Sequence, residues 1–200
     1  MNKLILKSGI LLFIFTFVSI FFVSWTEVAT KEKIQHNERQ LLIKRLGELV
    51  SNYDNDILQD KYSKELSLHN TKQTINVYPA KRKGEVFAYL IEHTYPNGYS
   101  GDIRLLTGVS VNHELLGVRV IMHKETPGLG DKIETKKSSW IEQFKGLSLS
   151  SPIKDNWKVK RDGGVFDSFT GATITPRAIV AASYQVLELF TQQANLIEQE

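Results

Sequence analysis

Residues 103–122 read IRLLTGVSVNHELLGVRVIM, a pattern that is typical of paired strands. Two apolar runs, 103–111 and 115–122, flank the polar segment Asn112-His113-Glu114. Strand-like runs that are joined by a short polar turn pair with each other as an antiparallel hairpin. The stretch therefore predicts such a hairpin, with further antiparallel strands beside it.

The segments around the hairpin predict the rest of the fold. Segments 75–78 and 86–94 are rich in β-branched and aromatic residues, which is typical of strands. A short helix is expected around 139–144, and residues 176–194 repeat small and apolar side chains at helical spacing. The pair Thr175-Pro176 suits the N-cap and first turn of this last helix. Antiparallel strands with flanking helices predict an α+β fold.

The N-terminal part of the chain carries a long apolar run. Residues 8–26, SGILLFIFTFVSIFFVSWT, contain no charged side chain. A helix of this length is about 30 Å long, which matches the hydrocarbon core of a bilayer. Lys3 and Lys7 precede the run, and the positive-inside rule then keeps the N-terminus in the cytoplasm. We expect a cytoplasmic N-terminus 1–7, a transmembrane anchor 8–26, a helical stalk 27–60 and an extracytoplasmic domain 61–200.

The stalk prediction rests on apolar residues at helical spacing among charged ones. These are Ile34, Leu41, Leu42, Leu46, Leu49 and Val50. In a bacterium with two membranes, this arrangement would place the anchor in the inner membrane and the domain in the periplasm.

A cleaved signal peptide is the alternative interpretation of the apolar run. Signal peptides have an apolar core of about 7–15 residues and a small-x-small cleavage site. Cleavage after Ala29 would put charged Glu27 at the −3 position, and cleavage after Ser24 would put bulky Phe22 there. The sequence therefore favours a retained anchor.

Composition excludes several classes of function. The 25 Lys and Arg against 22 Asp and Glu give a net charge of +3, which is no broad basic field for non-specific nucleic-acid binding. The chain has no cysteine, so disulfides, thiolate-bound iron–sulfur clusters, c-type haem and a cysteine nucleophile are excluded. The five histidines are scattered without the spacing of metal ligands, and no metal site is expected. Electron transfer would therefore need an organic cofactor.

One segment points to such a cofactor. Residues 167–176 read DSFTGATITP. A turn that enters a helix explains Gly171 and Pro176 but not the two threonines around Gly-Ala. The segment resembles the Asp-x-x-(Ser/Thr)-Gly-Ala-Thr signature recognised by bacterial flavin transferases, which join FMN to the last threonine through a phosphodiester. The resemblance implies covalent FMN at Thr173. The other matching positions are Asp167, Thr170, Gly171 and Ala172.

The resemblance extends to most of the chain. The anchor, the signature and the segments 98–101 (GYSG), 125–130 (ETPGLG) and 161–164 (RDGG) together resemble the G subunit of the Rnf-type ion-translocating electron-transport complex. This complex is also known as the SoxR-reducing complex. The C subunit of the sodium-translocating NADH:quinone reductase shares the domain and the signature and is one alternative. A non-redox anchored subunit that only assembles a complex is another.

The family resemblance implies a role, partners and contacts. The chain would be an electron carrier in a translocase complex, with no catalytic residue of its own. Its partners would be iron–sulfur and second flavin subunits, the flavin transferase during maturation, and the lipid bilayer, with no nucleic acid. Possible FMN contacts are Gly98, Tyr99, Glu125, Thr126, Gly128, Leu129 and Thr175.

Overall fold

The computed structural model describes residues 2–192, so Met1 and residues 193–200, including the end of the helix predicted over 176–194, lie outside the described residues. The chain forms two compact units that divide between Ile43 and Lys44. Its helices and strands are α1 (Asn2–Leu49), β1 (Tyr62–Leu68), β2 (Thr71–Arg82), β3 (Glu85–Tyr95), β4 (Ile103–Ser110), β5 (Leu115–Met122) and α2 (Ile174–Gln192). Short 3₁₀ helices cover Gly130–Ile133, Trp140–Phe144, Lys154–Asn156 and Lys160–Asp162.

The first unit is a continuous helix whose surface is mainly apolar as far as Val28. Large apolar side chains from Leu4 to Val28 are exposed along α1. The Thr16 hydroxyl donates to the Leu12 carbonyl at 2.9 Å, so this polar group is satisfied within the helix, as a lipid environment requires. Within residues 2–192, α1 is the one helix that is long and apolar enough to cross a membrane.

The second unit contains the predicted hairpin within an antiparallel sheet. Its five strands lie in the order β1-β2-β3-β4-β5, each next to its neighbour in the chain. Strands β4 and β5 pair antiparallel, with Leu106 opposite Arg119 and Gly108 opposite Gly117. With α1 before the sheet and α2 after it, the predicted α+β fold is confirmed.

Strand β1 and much of β2 were not predicted from the sequence. Strand β1 lies at the edge of the sheet and is mostly polar, with Leu68 its only fully buried side chain. Strand β2 extends well beyond the predicted 75–78 and contains Pro79, a residue that argues against a strand. The register shifts directly after Ala80, and such bulges accommodate proline in a sheet. The short helix expected around 139–144 is the 3₁₀ helix Trp140–Phe144.

Helix α2 packs on one face of the sheet and forms the main core. Its buried side chains, including Ile179, Val186 and Phe190, belong to one apolar cluster with strand residues such as Leu105 and Val118. Because side chains alternate along a strand, Gly108 faces the opposite side from Leu105.

The opposite face of the sheet contacts the last turn of α1. Leu49 lies against Gly108 and Gly117, and a β-carbon at Gly117 would be 2.9 Å from Leu49 Cδ2. The Glu48 carboxylate accepts a hydrogen bond from Arg119 at 2.8 Å. Helix α1 ends at Leu49, and residues 50–61 contain turns and no helix, so the helical part of the predicted stalk is shorter than 27–60.

Candidate functional site

A cavity of about 310 Å³ lies at one end of the sheet. Three segments meet there: the turn after β3, the loop after β5 and the segment that leads into α2. Strands β3 and β5 run in the same direction, so their C-terminal ends lie at the same edge of the sheet. The lining residues are Tyr99, Glu125, Thr126, Leu129, Gly130, Gly171, Ala172, Thr173, Ile174 and Thr175. This volume is at the lower end of the range for small-molecule sites.

Glu125 joins two of the segments. Its side chain is only 4% exposed. One carboxylate oxygen, Oε1, accepts the backbone N–H of Ser100 at 3.0 Å. The other, Oε2, accepts a short hydrogen bond from the Thr175 hydroxyl. The carboxylate therefore links the turn after β3 to the first turn of α2.

The loop after β5 is a tight turn held by its own backbone. The Thr126 carbonyl accepts the N–H groups of Leu129 at 3.1 Å and Gly130 at 3.0 Å. The Gly128 N–H donates to the Asp131 carboxylate and lowers the pKa of that carboxyl below its usual range, with a smaller effect from Lys137. Leu129 is 42% exposed on this loop, so its side chain forms part of the cavity rim.

His123 fixes the start of the same loop and was not predicted as a site residue. Its Nδ1 accepts the backbone N–H of Glu125 at 3.0 Å, so its proton lies on Nε2. That Nε2–H donates to Glu134 at 2.9 Å. No motif marks His123 in the sequence, because its role depends on contacts formed only by the folded loop.

Thr173 lies immediately before α2 and lines the cavity. Its carbonyl accepts the Arg177 N–H at 3.5 Å, as expected of an N-cap residue. The first turn of a helix has free N–H groups that favour an anion, so Thr173 lies beside a suitable phosphate position. The prediction that Thr175 caps α2 is wrong: Thr175 lies within the first turn, fully buried, and its hydroxyl donates to Glu125 instead.

A sharp reversal precedes Thr173. Phe169 and Ala172 form an isolated antiparallel bridge, and the Ala172 N–H donates to the Phe169 carbonyl at 3.2 Å. Gly171 has a φ of 83°, a conformation that favours glycine. Phe169 is buried against Trp140, with ring centroids 5.0 Å apart. The apolar core thus holds Phe169 at one end of the turn, while Ala172 at the other end lines the cavity.

The structure brings most of the predicted site residues together in the cavity lining and leaves four of them outside it. Asp167 and Thr170 of the signature do not line the cavity. The Asp167 carboxylate pairs with Lys160 at 2.6 Å, and Thr170 is exposed. Gly98 and Gly128 are also absent from the lining. The predicted contacts that do line it are Tyr99, Glu125, Thr126, Leu129 and Thr175.

The rim of the cavity suits a flat ligand. Tyr99 is 67% exposed and Ile174 is 43% exposed, and both line the cavity beside Leu129. Aromatic and aliphatic side chains of this kind can lie against an aromatic ring, while the start of α2 can receive a phosphate. Ile174 was not among the predicted residues, although it directly follows the signature threonine.

Two family models match the chain. An FMN-binding domain matches residues 98–188, a range that contains the cavity. An RnfG N-terminal region matches residues 1–49, a range that ends at the last residue of α1.

Curated relatives match over nearly the full length. The chain is 41% identical to the G subunit of the ion-translocating oxidoreductase complex of Vibrio cholerae serotype O1 (strain M66-2), over 93% of this chain and 90% of that protein. It is 44% identical to the protein of the same name from Pseudoalteromonas atlantica, over 91% of this chain and 86% of that protein. It is 41% identical to the protein of the same name from Pseudomonas aeruginosa (strain UCBPP-PA14), over 94% of this chain and 90% of that protein.

Proposed function

Because this chain belongs to the family of G subunits of ion-translocating oxidoreductase complexes, we propose that it carries FMN on Thr173 and passes electrons within such a complex. The chain is a single-pass membrane subunit with an FMN-binding domain. The matches to these G subunits set aside the alternative of a sodium-translocating NADH:quinone reductase C subunit.

The observation that carries the proposal is the different surroundings of the three threonines in the signature segment. Thr173 is half-buried, lines the cavity and lies at the start of α2. Thr170 is exposed and lies outside the cavity lining. Thr175 is fully buried, and its hydroxyl is already bonded to Glu125. Thr173 is thus the threonine whose hydroxyl combines access with a neighbouring cavity for a ring.

A covalent link has a physical purpose in this location. FMN held only by non-covalent contacts would be lost to a dilute external compartment, and a bond removes the recurring translational cost of binding. A threonine hydroxyl is a weak nucleophile at neutral pH, so attachment needs an activating enzyme, a flavin transferase. Bound flavin supplies the redox chemistry, while the protein supplies binding, orientation and electrostatics.

We further propose that the N-terminus is cytoplasmic and the cavity is periplasmic, with the anchor in the inner membrane. Lys3 and Lys7 precede the apolar run, as the positive-inside rule requires. Residues 8–26 contain no ionisable side chain, so this span offers no ion path. Ion translocation would therefore belong to partner subunits, with iron–sulfur and second flavin subunits delivering the electrons.

Mass spectrometry tests the attachment directly. The chain is expressed together with a flavin transferase, and the tryptic peptide 162–177 is weighed. We expect this peptide to gain the mass of FMN less water, and the protein band to fluoresce in a denaturing gel.

Two variants locate the bond. Thr173→Ala should lose all bound fluorescence, because neither Thr170 nor Thr175 is both accessible to solvent and part of the cavity lining. Thr175→Val keeps the buried volume and should retain the label. A label that persists on Thr173→Ala would show that the acceptor is another residue. A bare wild-type peptide in the presence of active transferase would leave only the assembly function.

A further inference from the structure

The Glu125 side chain is enclosed by two glycines. A β-carbon at Gly98 would lie 2.9 Å from Glu125 Oε1, and one at Gly130 would lie 3.1 Å from Oε2. Both distances are too short for an ordinary contact, and a β-carbon at Gly98 would also lie against the Gly101 carbonyl oxygen, so neither position admits a larger residue. The backbone on both sides is therefore built closely around this one buried group.

The two hydrogen bonds of Glu125 suit an ionised carboxylate. Both oxygens act as acceptors, one from the Ser100 N–H and one from the Thr175 hydroxyl. An ionised carboxylate only accepts, whereas a protonated one also donates. Among the described residues 2–192, no Lys or Arg forms an ion pair with Glu125, so hydrogen bonds alone compensate its charge. A negative charge thus lies in the cavity wall with little solvent around it.

We propose that Glu125 is a positioning residue that holds the turn at Ser100 against the first turn of α2, and that its charge makes the reduction potential of a flavin in the cavity more negative. The inference rests on the proposed FMN site. Each electron that a flavin ring accepts adds one negative charge unless a proton follows it. A fixed negative charge in a poorly solvated wall opposes that addition.

The Glu125→Gln variant separates the charge from the packing. The amide oxygen can accept the Ser100 N–H, and the amide NH₂ can donate to Thr175 Oγ1 after the hydroxyl rotates. The variant therefore keeps the size and both hydrogen bonds but loses the charge. In a spectroelectrochemical titration of the flavin-loaded full chain in detergent, we expect a more positive midpoint potential than in the wild type.

Asp102→Asn is the matched control. It removes the same charge close to the turn after β3, but its side chain is exposed and does not line the cavity. Its midpoint potential should equal that of the wild type, because solvent screens an exposed charge. If removing any carboxylate from this region changed the potential through the structure alone, the midpoint potentials of both variants would shift alike.

Thr175→Val tests the positioning part of the proposal. It removes one donor and keeps the carboxylate, so we expect a lower melting temperature and a potential nearer to the wild type than to Glu125→Gln. An unchanged melting temperature, or a positive shift as large as that of Glu125→Gln, overturns the inference. If Glu125→Gln does not fold, the melting temperature of Thr175→Val still tests the positioning role of Glu125.

The outcomes distinguish the inference from the proposed function. A wild-type protein without flavin contradicts the proposed function itself. Equal potentials of flavin-loaded wild type and Glu125→Gln overturn the inference and leave the proposed function intact. A folded Glu125→Gln protein that takes up no flavin also overturns the inference, since the amide preserves both hydrogen bonds.

Discussion

Gly130 lies where the loop after β5 meets α2, and the absence of a side chain there is essential. A β-carbon at this position would lie 2.9 Å from Thr175 Oγ1 and 3.0 Å from Glu125 Cβ. All three residues are buried, so the neighbours have little room to move aside. The cavity wall therefore depends on Gly130 as much as on the Glu125 carboxylate beside it.

Gly130→Ala should lower the free energy of unfolding by about 1–3 kcal/mol, the usual cost of adding a methyl group to a packed site. Thermal unfolding of the full chain in detergent, followed by circular dichroism, measures the change. Gly47→Ala is the control, because nothing lies within 4 Å of a β-carbon there and the residue is exposed in α1. That exchange should stabilise the helix by about 0.5–1 kcal/mol. Equal stability of Gly130→Ala and the wild type would contradict the close packing.

Two buried histidines join α2 to the sheet. His69 Nδ1 lies 2.5 Å from Gln185 Oε1 on α2, and His69 Nε2 lies 3.1 Å from His93 Nδ1. His93 Nε2 lies 2.9 Å from Thr107 Oγ1 on β4. One assignment from this network satisfies every atom: both histidines are neutral with the proton on Nδ1, and the Thr107 hydroxyl donates to His93. In this assignment, two neutral imidazoles form the contact between helix and sheet.

Burial lowers the pKa of His69 below its usual value and that of His93 further still, the latter also through its proximity to His69. The unfolded chain therefore binds more protons than the folded one once the pH falls below about 6.5, and stability decreases with falling pH. Each histidine contributes at most about 1.4 kcal/mol per pH unit below that point.

Denaturant titrations of the full chain at pH 7.5 and 5.5 should show this loss of stability. His93→Gln should flatten the dependence on pH, since it removes the more strongly affected group. His36→Gln should leave the dependence unchanged, because His36 is exposed on α1. Equal stability of the wild-type protein at both pH values would contradict the neutral histidine pair.

The whole molecule combines an apolar helix with a domain that carries the cavity. The family assignment, the hairpin and the apolar run all followed from contiguous patterns in the sequence. The edge strand β1, the close approach of Leu49 to Gly108 and the link between Glu125 and Thr175 did not. Each of the last two joins residues at least 50 positions apart, so no local spacing reveals them.

The absence of cysteine allows the membrane orientation to be tested with single introduced cysteines. Lys145→Cys, at an exposed position of the domain, should react with a membrane-impermeant maleimide in cells whose outer membrane is permeable to the reagent. Lys3→Cys should react only after the inner membrane is opened. Labelling of Lys3→Cys in intact cells, with Lys145→Cys protected, would reverse the proposed orientation.

Local patterns in the sequence determined the hairpin, the membrane-length helix and the signature at Thr173, because each depends on residues that are near neighbours in the chain. Five of the predicted contacts line one cavity, and their binding of FMN stays a prediction. Two features depend on the folded chain: Thr175 bonds to Glu125 instead of capping α2, and Asp167 pairs with Lys160 outside the cavity. The reason is physical: a side chain takes the partner that folding brings within hydrogen-bond distance, and no local spacing in the sequence marks that partner.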